Sequence, residues 1–183
     1  MTDHDWCRLL QASPRTLVLF GAYSIGKERV YLQVGRELGV QIYVDRARWR
    51  MLECLSLPPD DTAMLTTESG STRFRVVSMA HLRLDKLREL LKAEGGRYDA
   101  LVAFRPSGWC LPRSGRGCAG KVIRSGDVRL HEVPYSEHSS FTELVSCVRD
   151  MRPRSVVPTV CGSAAKSRAI LERLAAAGAP VWG

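Results

Sequence analysis

Short apolar runs alternate along the chain with longer segments whose apolar residues recur at helical spacing. The first run, residues 16–20, closes on Gly21 and has the pattern of a buried strand. The segment 24–38 repeats apolar residues with a period near 3.6 and is followed by Gly39. This predicts a helix with Ser24 as its N-cap and Gly39 as its C-cap.

The same alternation continues to the end of the chain. Further strands are predicted at residues 40–44, 63–66, 74–79, 99–104, 128–133 and 155–160. Further helices are predicted at residues 46–55, 84–91, 140–151 and 164–177. Strands that alternate with helices favour an α/β architecture with a largely parallel sheet. A Gly/Arg-rich stretch, 106–120, is too long for a simple connection and is predicted to be a functional or mobile loop.

Charge adds a candidate partner to this picture. The 183 residues carry 27 Lys and Arg against 19 Asp and Glu, a net charge of +8. Residues 100–126 contain no acidic side chain. The basic residues there are Arg105, Arg113, Arg116, Lys121 and Arg124. Two interpretations stay open, a solvated basic loop and a contact with a nucleic-acid backbone.

Cysteine spacing and hydropathy exclude several classes of protein. None of the six cysteines forms a C-x-x-C pair, so a zinc ribbon and a thioredoxin motif are not predicted. The apolar surroundings of Cys54, Cys147 and Cys161 predict small core residues. Cys110 and Cys118 lie within the Gly/Arg-rich stretch and are interpreted as loop cysteines, with a disulfide or metal role as the alternative.

No part of the sequence predicts a membrane protein. No apolar run reaches the roughly 18–20 residues that span a bilayer. The first residues are acidic and polar, unlike a signal peptide. We therefore expect no membrane partner.

Residues 21–28 come close to the G-x-x-x-x-G-K-[ST] phosphate loop. Glycines, a helix N-terminus and Lys27 suit an anion, but Glu28 replaces the hydroxyl that would hold magnesium in a nucleoside triphosphatase. Phosphate binding is therefore favoured over triphosphate hydrolysis. A plain strand-to-helix turn with a solvent-exposed lysine is the structural alternative.

Residues 134–140 bring polar side chains together directly after a predicted strand. His138 there suits a metal ligand or an acid/base, with a structural hydrogen-bond role as the alternative. Ser136 could be a nucleophile, but no acidic residue is placed to complete a triad. No other histidine has metal-ligand spacing to His138.

Several segments, in this order, resemble the family of DNA cross-link repair nucleases that includes Artemis and Apollo. These are metallo-β-lactamase enzymes with an inserted β-CASP domain, and the closest likeness is to the 5′–3′ exonuclease branch. The similar segments are residues 23–30, 103–109, 134–140, 157–160 and 166–168.

The resemblance implies a role for each matching residue. His138 corresponds to a late histidine that ligates an active-site metal, and Val160 to the position called motif C. The pocket for a DNA phosphate corresponds to Tyr23, Ser24, Gly26, Lys27, Ser136 and, with a looser match, Lys166. The implied cofactor is zinc, with a second divalent metal as an option.

The resemblance also implies an organisation and a function. It assigns residues 1–122 to a partial β-CASP domain and residues 123–183 to the C-terminal portion of a metallo-β-lactamase αββα sandwich. The family's H-x-H-x-D-H run is not in this sequence, so we expect the C-terminal half of an exonuclease that is inactive by itself. The implied setting is nuclear repair of interstrand cross-links and double-strand breaks, on damaged or 5′-phosphorylated DNA ends. A non-catalytic nucleic-acid-binding module and a nucleotide-binding domain remain the alternatives.

Overall fold

Strands and helices alternate through the computed structural model, which describes residues 13–108 and 120–179. The strands are β1 (Thr16–Ala22), β2 (Ile42–Tyr43), β3 (Leu65–Thr66), β4 (Phe74–Ser78), β5 (Ala100–Ser107), β6 (Val122–Ser125) and β7 (Val128–Pro134). The helices are α1 (Glu28–Leu38), α2 (Arg46–Glu53), α3 (Pro59–Ala63), α4 (Leu84–Ala93), α5 (Phe141–Met151) and α6 (Ala164–Ala176). A 3₁₀ turn (Met79–His81) follows β4.

All seven strands form one sheet in the order β3-β2-β4-β1-β5-β7-β6. Every neighbouring pair is parallel except the β6–β7 hairpin, which is antiparallel at the edge. The α/β prediction with a largely parallel sheet is therefore confirmed. The sheet continues through residue 122, where the sequence analysis placed a boundary between family domains, and that boundary stays a prediction.

An apolar cluster covers each face of the sheet, and successive side chains of β1 point alternately into the two clusters. Val18 and Phe20 pack with Tyr31 of α1 on one face. Leu17 and Leu19 pack with neighbours that include Leu87 of α4 on the other face. All seven residues of β1 are buried, as expected for a central parallel strand covered by helices.

The described residues divide into two compact units, one ending at Glu137 and the other beginning at His138. The second unit contains α5 and α6 around a small core of Val145, Val148 and Leu174. Ser140 begins α5 with a capping box: its side chain accepts from the Glu143 N–H, and Glu143 accepts from the Ser140 N–H.

Two predictions of local structure were wrong. Residues 155–160 form neither strand nor helix. Pro158 has no N–H to donate to a ladder, which disfavours a strand there. Ser24 does not cap α1, because Gly26 and Lys27 both have positive φ values (97° and 73°) and delay the start of the helix to Glu28.

The burial predicted for the cysteines was also wrong. Cys54 and Cys147 are exposed, and Cys161 has intermediate burial. At 100° per residue, a side chain two positions from a buried one points to the opposite side of a helix. Cys54 stands in this relation to the buried Leu52, and Cys147 to the buried Val145. Cys110 and Cys118 lie outside the described residues.

The short helix α3 and the edge strand β6 were not among the predicted elements. Helix α3 could have been predicted from the sequence, since Pro59 takes its first position and Asp60 and Asp61 lie in its first turn. No helix among residues 13–108 and 120–179 is long and apolar enough to cross a membrane.

Candidate functional site

Three adjacent parallel strands, β1, β5 and β7, end at the same edge of the sheet. After β1 the chain continues to β2, which lies on one side of β1 in the sheet. After β5 it continues to β6 and β7, which lie on the opposite side. The strand order thus reverses between β1 and β5, and ligands of open α/β sheets bind outside the carboxyl ends at such a point. The segments that follow the three strands are residues 23–27, Gly108 and residues 135–137, all within the first unit.

Two consecutive left-handed residues shape the loop after β1. Gly26 has a φ of 97° and Lys27 a φ of 73°. Residues with positive φ are uncommon outside glycine, so Lys27 is held there by its surroundings. The Gly26 N–H donates to Oε1 of Glu28 at 2.8 Å. The Gly26 N–H of this loop is therefore already occupied by a carboxylate.

The base of this loop rests on a buried arginine that the sequence analysis missed. Arg48 is 6% exposed, and its Nη1 donates to the carbonyl oxygen of Tyr23 at 2.7 Å. Asp45 caps α2 by accepting from the Arg48 N–H at 2.8 Å. The sequence carried no signal for this role, because Arg48 lies in a run of three alternating arginines, 46–50, that resembles a solvated helix face.

Lys27 lies at the centre of the site and is 6% exposed. Its backbone N–H donates to Oε1 of Glu137 at 2.9 Å. Its ammonium Nζ is 3.8 Å from Oε2 of the same carboxylate. The ammonium also lies 4.7 Å from the centroid of the Tyr135 ring, within cation–π range. One side chain thus joins the loop after β1 to the segment after β7.

Tyr135 completes this contact as a hydrogen-bond donor. Its hydroxyl donates to Oε1 of Glu137 at 3.3 Å. Burial and then the charge of Glu137 raise the pKa of Tyr135, so the phenol keeps its proton at neutral pH. The backbone N–H of Tyr135 donates to the carbonyl oxygen of Ser107 at 3.2 Å, which ties the segment to the end of β5.

Ser136 contacts Gly108, whereas the residues on either side of it, Tyr135 and Glu137, contact Lys27. A Cβ placed on Gly108 would lie 3.1 Å from the Ser136 Cβ and 3.2 Å from its Oγ. The Ser136 side chain therefore lies against the Gly108 backbone, while Tyr135 and Glu137 contact Lys27. Gly108 lies in the segment 103–109 of the resemblance but was given no role there, and the structure shows that its missing side chain makes room for Ser136.

The structure thus brings together part of the phosphate pocket that the resemblance implies. Gly26 and Lys27 meet the segment that carries Ser136. The side chains of Tyr23 and Ser24 are exposed on the same loop. The notable addition is Glu137, which the sequence analysis did not assign and which is the direct partner of Lys27.

The remaining site residues of the sequence analysis lie in the second unit. His138 is its first residue and is exposed. Val160 is 94% exposed and shares a shallow surface depression with Lys166 and Ile170. The Ser163 hydroxyl accepts from the Lys166 N–H at 3.3 Å and so begins α6. Val160 and Lys166 are thereby neighbours on one surface of this unit.

A catalytic zinc uses about three protein ligands. Within residues 13–108 and 120–179, no group of three or more His, Cys, Asp and Glu side chains could hold a metal ion. The described residues therefore do not by themselves fit the metal site that the resemblance implies. The assignment of His138 as one ligand stays a prediction.

The basic stretch is only partly available for an anionic partner. Arg105 forms an ion pair with Glu132 at 3.3 Å. Lys121 directly precedes the edge strand β6 and Arg124 lies on it, and both residues are exposed. Arg113 and Arg116 lie outside the described residues.

Comparison with known proteins adds a family to this geometry. Residues 59–164 match the family model described as DNA repair metallo-beta-lactamase. The chain is 38% identical over 161 residues to the DNA cross-link repair protein SNM1 of Arabidopsis thaliana, covering 87% of the chain and 33% of that relative. It is 33% identical over 162 residues to the DNA cross-link repair 1A protein of Homo sapiens, covering 88% of the chain and 16% of that relative.

A further relative has a different name. The chain is 30% identical over 158 residues to the 5′ exonuclease Apollo of Gallus gallus, covering 85% of the chain and 29% of that protein. The chain therefore spans a third or less of the length of these relatives.

Proposed function

The chain belongs to the DNA repair metallo-beta-lactamase family, and on that basis we propose that it forms part of a metal-dependent 5′–3′ exodeoxyribonuclease of DNA repair. The family match over residues 59–164 carries this proposal. The names of the relatives, DNA cross-link repair proteins and a 5′ exonuclease, support it. The proposed setting is the nucleus, and the proposed processes are interstrand cross-link and double-strand break repair.

Within this function, we assign DNA phosphate binding to the carboxyl edge of the sheet. This edge lies where the strand order reverses, and it gathers Gly26, Lys27 and the segment that carries Ser136. The exposed Lys121 and Arg124 provide positive charge for a DNA backbone. Lys166 in the second unit is proposed as an additional phosphate contact.

We further propose that the chain by itself binds DNA without hydrolysing it. A catalytic zinc needs more ligands than the described residues gather around His138. The test is a nuclease assay on purified chain with added zinc, using 5′-phosphorylated DNA. Metal-dependent cleavage that disappears in the His138→Ala variant would overturn this part of the proposal.

DNA binding itself is tested by fluorescence anisotropy with 3′-labelled oligodeoxynucleotides. We expect tighter binding of a 5′-phosphorylated strand than of the matching 5′-hydroxyl strand. We also expect log K to fall linearly with log salt, with a slope of roughly −0.7 for each phosphate neutralised on single strands. Equal affinity for the two ends at every salt concentration would contradict the phosphate pocket.

A pair of double variants separates the basic edge from general charge. Lys121→Gln/Arg124→Gln should weaken binding and reduce the salt slope by about one to two units. The matched control, Arg88→Gln/Lys92→Gln, removes the same charge from the exposed side of α4 and should change neither quantity by more than a small amount. Equal effects of the two pairs would mean that net charge, and not this surface, attracts DNA.

A nucleotide-binding function built on residues 21–27 has weaker support. A phosphate loop offers its backbone N–H groups to the ligand. Here the Gly26 N–H donates to Glu28 and the Lys27 N–H to Glu137. We therefore expect no ATP binding in a calorimetric titration with and without magnesium, and a saturable isotherm would revive this function.

A further inference from the structure

One carboxylate occupies both anion-binding groups of Lys27. The backbone N–H and the ammonium of Lys27 each contact an oxygen of Glu137, at 2.9 Å and 3.8 Å. The adjacent N–H, that of Gly26, donates to Glu28. A DNA phosphate that approached Lys27 in this arrangement would compete with Glu137 for its positive charge.

We infer that Lys27 and Glu137 are positioning residues: together they hold the segment 135–137 so that Ser136, and not Lys27, meets the DNA phosphate. This inference rests on the proposed phosphate site. It gives Lys27 a positioning role in place of the phosphate contact that the resemblance implies, and it gives Glu137 a role that the resemblance does not. Lys27 acts on DNA through the segment that it holds.

Burial supports this role for Lys27. The side chain of Lys27 is 8% exposed, whereas that of Glu137 is 41% exposed. A buried ammonium is costly without a counter-charge, because its hydration is lost. Among the described residues, the ion pair that Lys27 forms is with Glu137. Lys27 therefore keeps Glu137 in place, and its own solvent exposure is too small for a first contact with DNA.

The geometry of the segment supports it as well. Lys27 contacts Tyr135 through the ring and Glu137 through the carboxylate, and the Tyr135 hydroxyl joins these two partners. Both residues that flank Ser136 are thus fixed on the Lys27 side. Ser136 is exposed and lies against Gly108. Loss of either Lys27 or Glu137 would release the constraint that sets where the Ser136 hydroxyl lies.

The experiment compares Glu137→Gln, Lys27→Met and the double variant, with binding of 5′-phosphorylated and 5′-hydroxyl strands as the measurement. The ratio of the two affinities is the readout, since loss of general stability would not change it selectively. Each single variant should lower the ratio by about threefold to tenfold, the size of one typical net hydrogen bond. The double variant should lower it no further, because both changes break the same contact.

Direct phosphate contact by Lys27 predicts the opposite sign for one variant. If Glu137 merely competes with DNA for Lys27, Glu137→Gln should raise the ratio of the affinities for the 5′-phosphorylated and 5′-hydroxyl strands. That result would overturn the inference. Lys27→Arg serves as the conservative variant, since it keeps the positive charge, and it should retain more of the ratio than Lys27→Met.

A second measurement decides the inference without DNA. Hydrogen–deuterium exchange should rise in a peptide covering residues 135–140 in Glu137→Gln and Lys27→Met, while β1 stays protected. The matched control is Glu132→Gln, which breaks the Arg105 ion pair on the same strand, β7, and should leave this peptide unchanged. Unchanged exchange in all variants would overturn the inference. Absence of any DNA binding by the wild-type chain would instead refute the proposed function.

Discussion

Substitution of Gly26 by alanine should disrupt the contact between Lys27 and Glu137 without removing either residue. Gly26 has a φ of 97°, and a Cβ built there would lie 2.6 Å from Oε2 of Glu137. That distance is shorter than any real contact of a Cβ atom, so the carboxylate must move. The glutamate side chain is flexible and can turn toward water, but it then loses its contacts with Lys27.

The expected cost has two parts. An alanine in the left-handed region costs roughly 1–2 kcal/mol in the folded state. About 0.4–1 kcal/mol of this is offset, because alanine has less conformational entropy than glycine in the unfolded chain. Two unit charges 3.8 Å apart attract by about 1 kcal/mol in water and about 4 kcal/mol at an effective dielectric of 20. Glu137 is 41% exposed, so the lower end applies, about 1–2 kcal/mol. Gly26→Ala should therefore destabilise the chain by roughly 1.5–3 kcal/mol.

Urea unfolding followed by circular dichroism measures this cost, and Gly39→Ala is its control. Gly39 also has a positive φ, 63°, but a Cβ there would meet nothing within 4 Å. It should therefore show only the conformational part, about 0.5–1 kcal/mol. Equal costs for the two variants would refute the argument, because the carboxylate would then contribute nothing.

Other substitutions test separate parts of the fold. Burial, with the charges of Arg129 and Arg124, lowers the pKa of His131 to about 4. Above pH 6.5 the ring is neutral in both the folded and the unfolded state, and as pH falls below 6.5 the unfolded state takes up the proton first. The free energy of unfolding should therefore fall by about 2 kcal/mol between pH 7.5 and 5. His131→Phe should remove this part of the pH dependence of urea unfolding. Ser140→Ala should cost about 1 kcal/mol through loss of the α5 capping box, whereas Ser139→Ala should cost almost nothing; similar values would contradict the assigned cap. Arg48→Met should increase trypsin cleavage of the loop 23–27, since its support on the Tyr23 carbonyl is lost, and unchanged cleavage would argue against that support.

Periodicity predicted many of the regular elements of both units. Strand β1 was recognisable because a short unbroken apolar run that ends at a glycine is typical of a buried strand. Helices α4 and α6 were recognisable from apolar spacing, and their observed bounds lie within two residues of the expected ones. Residues 155–160 failed because an apolar run becomes a strand only where a partner strand can pair with it, and pairing is not written in local sequence.

The candidate site divides in a similar way. The sequence by itself determined that glycines, a lysine and polar residues follow apolar strands, and the order of these segments was enough to indicate the family. It could not determine that Glu137, distant in the chain from Lys27, would be its counter-charge, or that Arg48 would support the loop from below. Only the sheet order decided those contacts, since β7 lies two strands from β1 on one side and β2, which leads into the helix of Arg48, lies two strands from β1 on the other side. Contacts of this kind depend on which strands become neighbours, whereas strand and helix signals depend on side chains only a few residues apart.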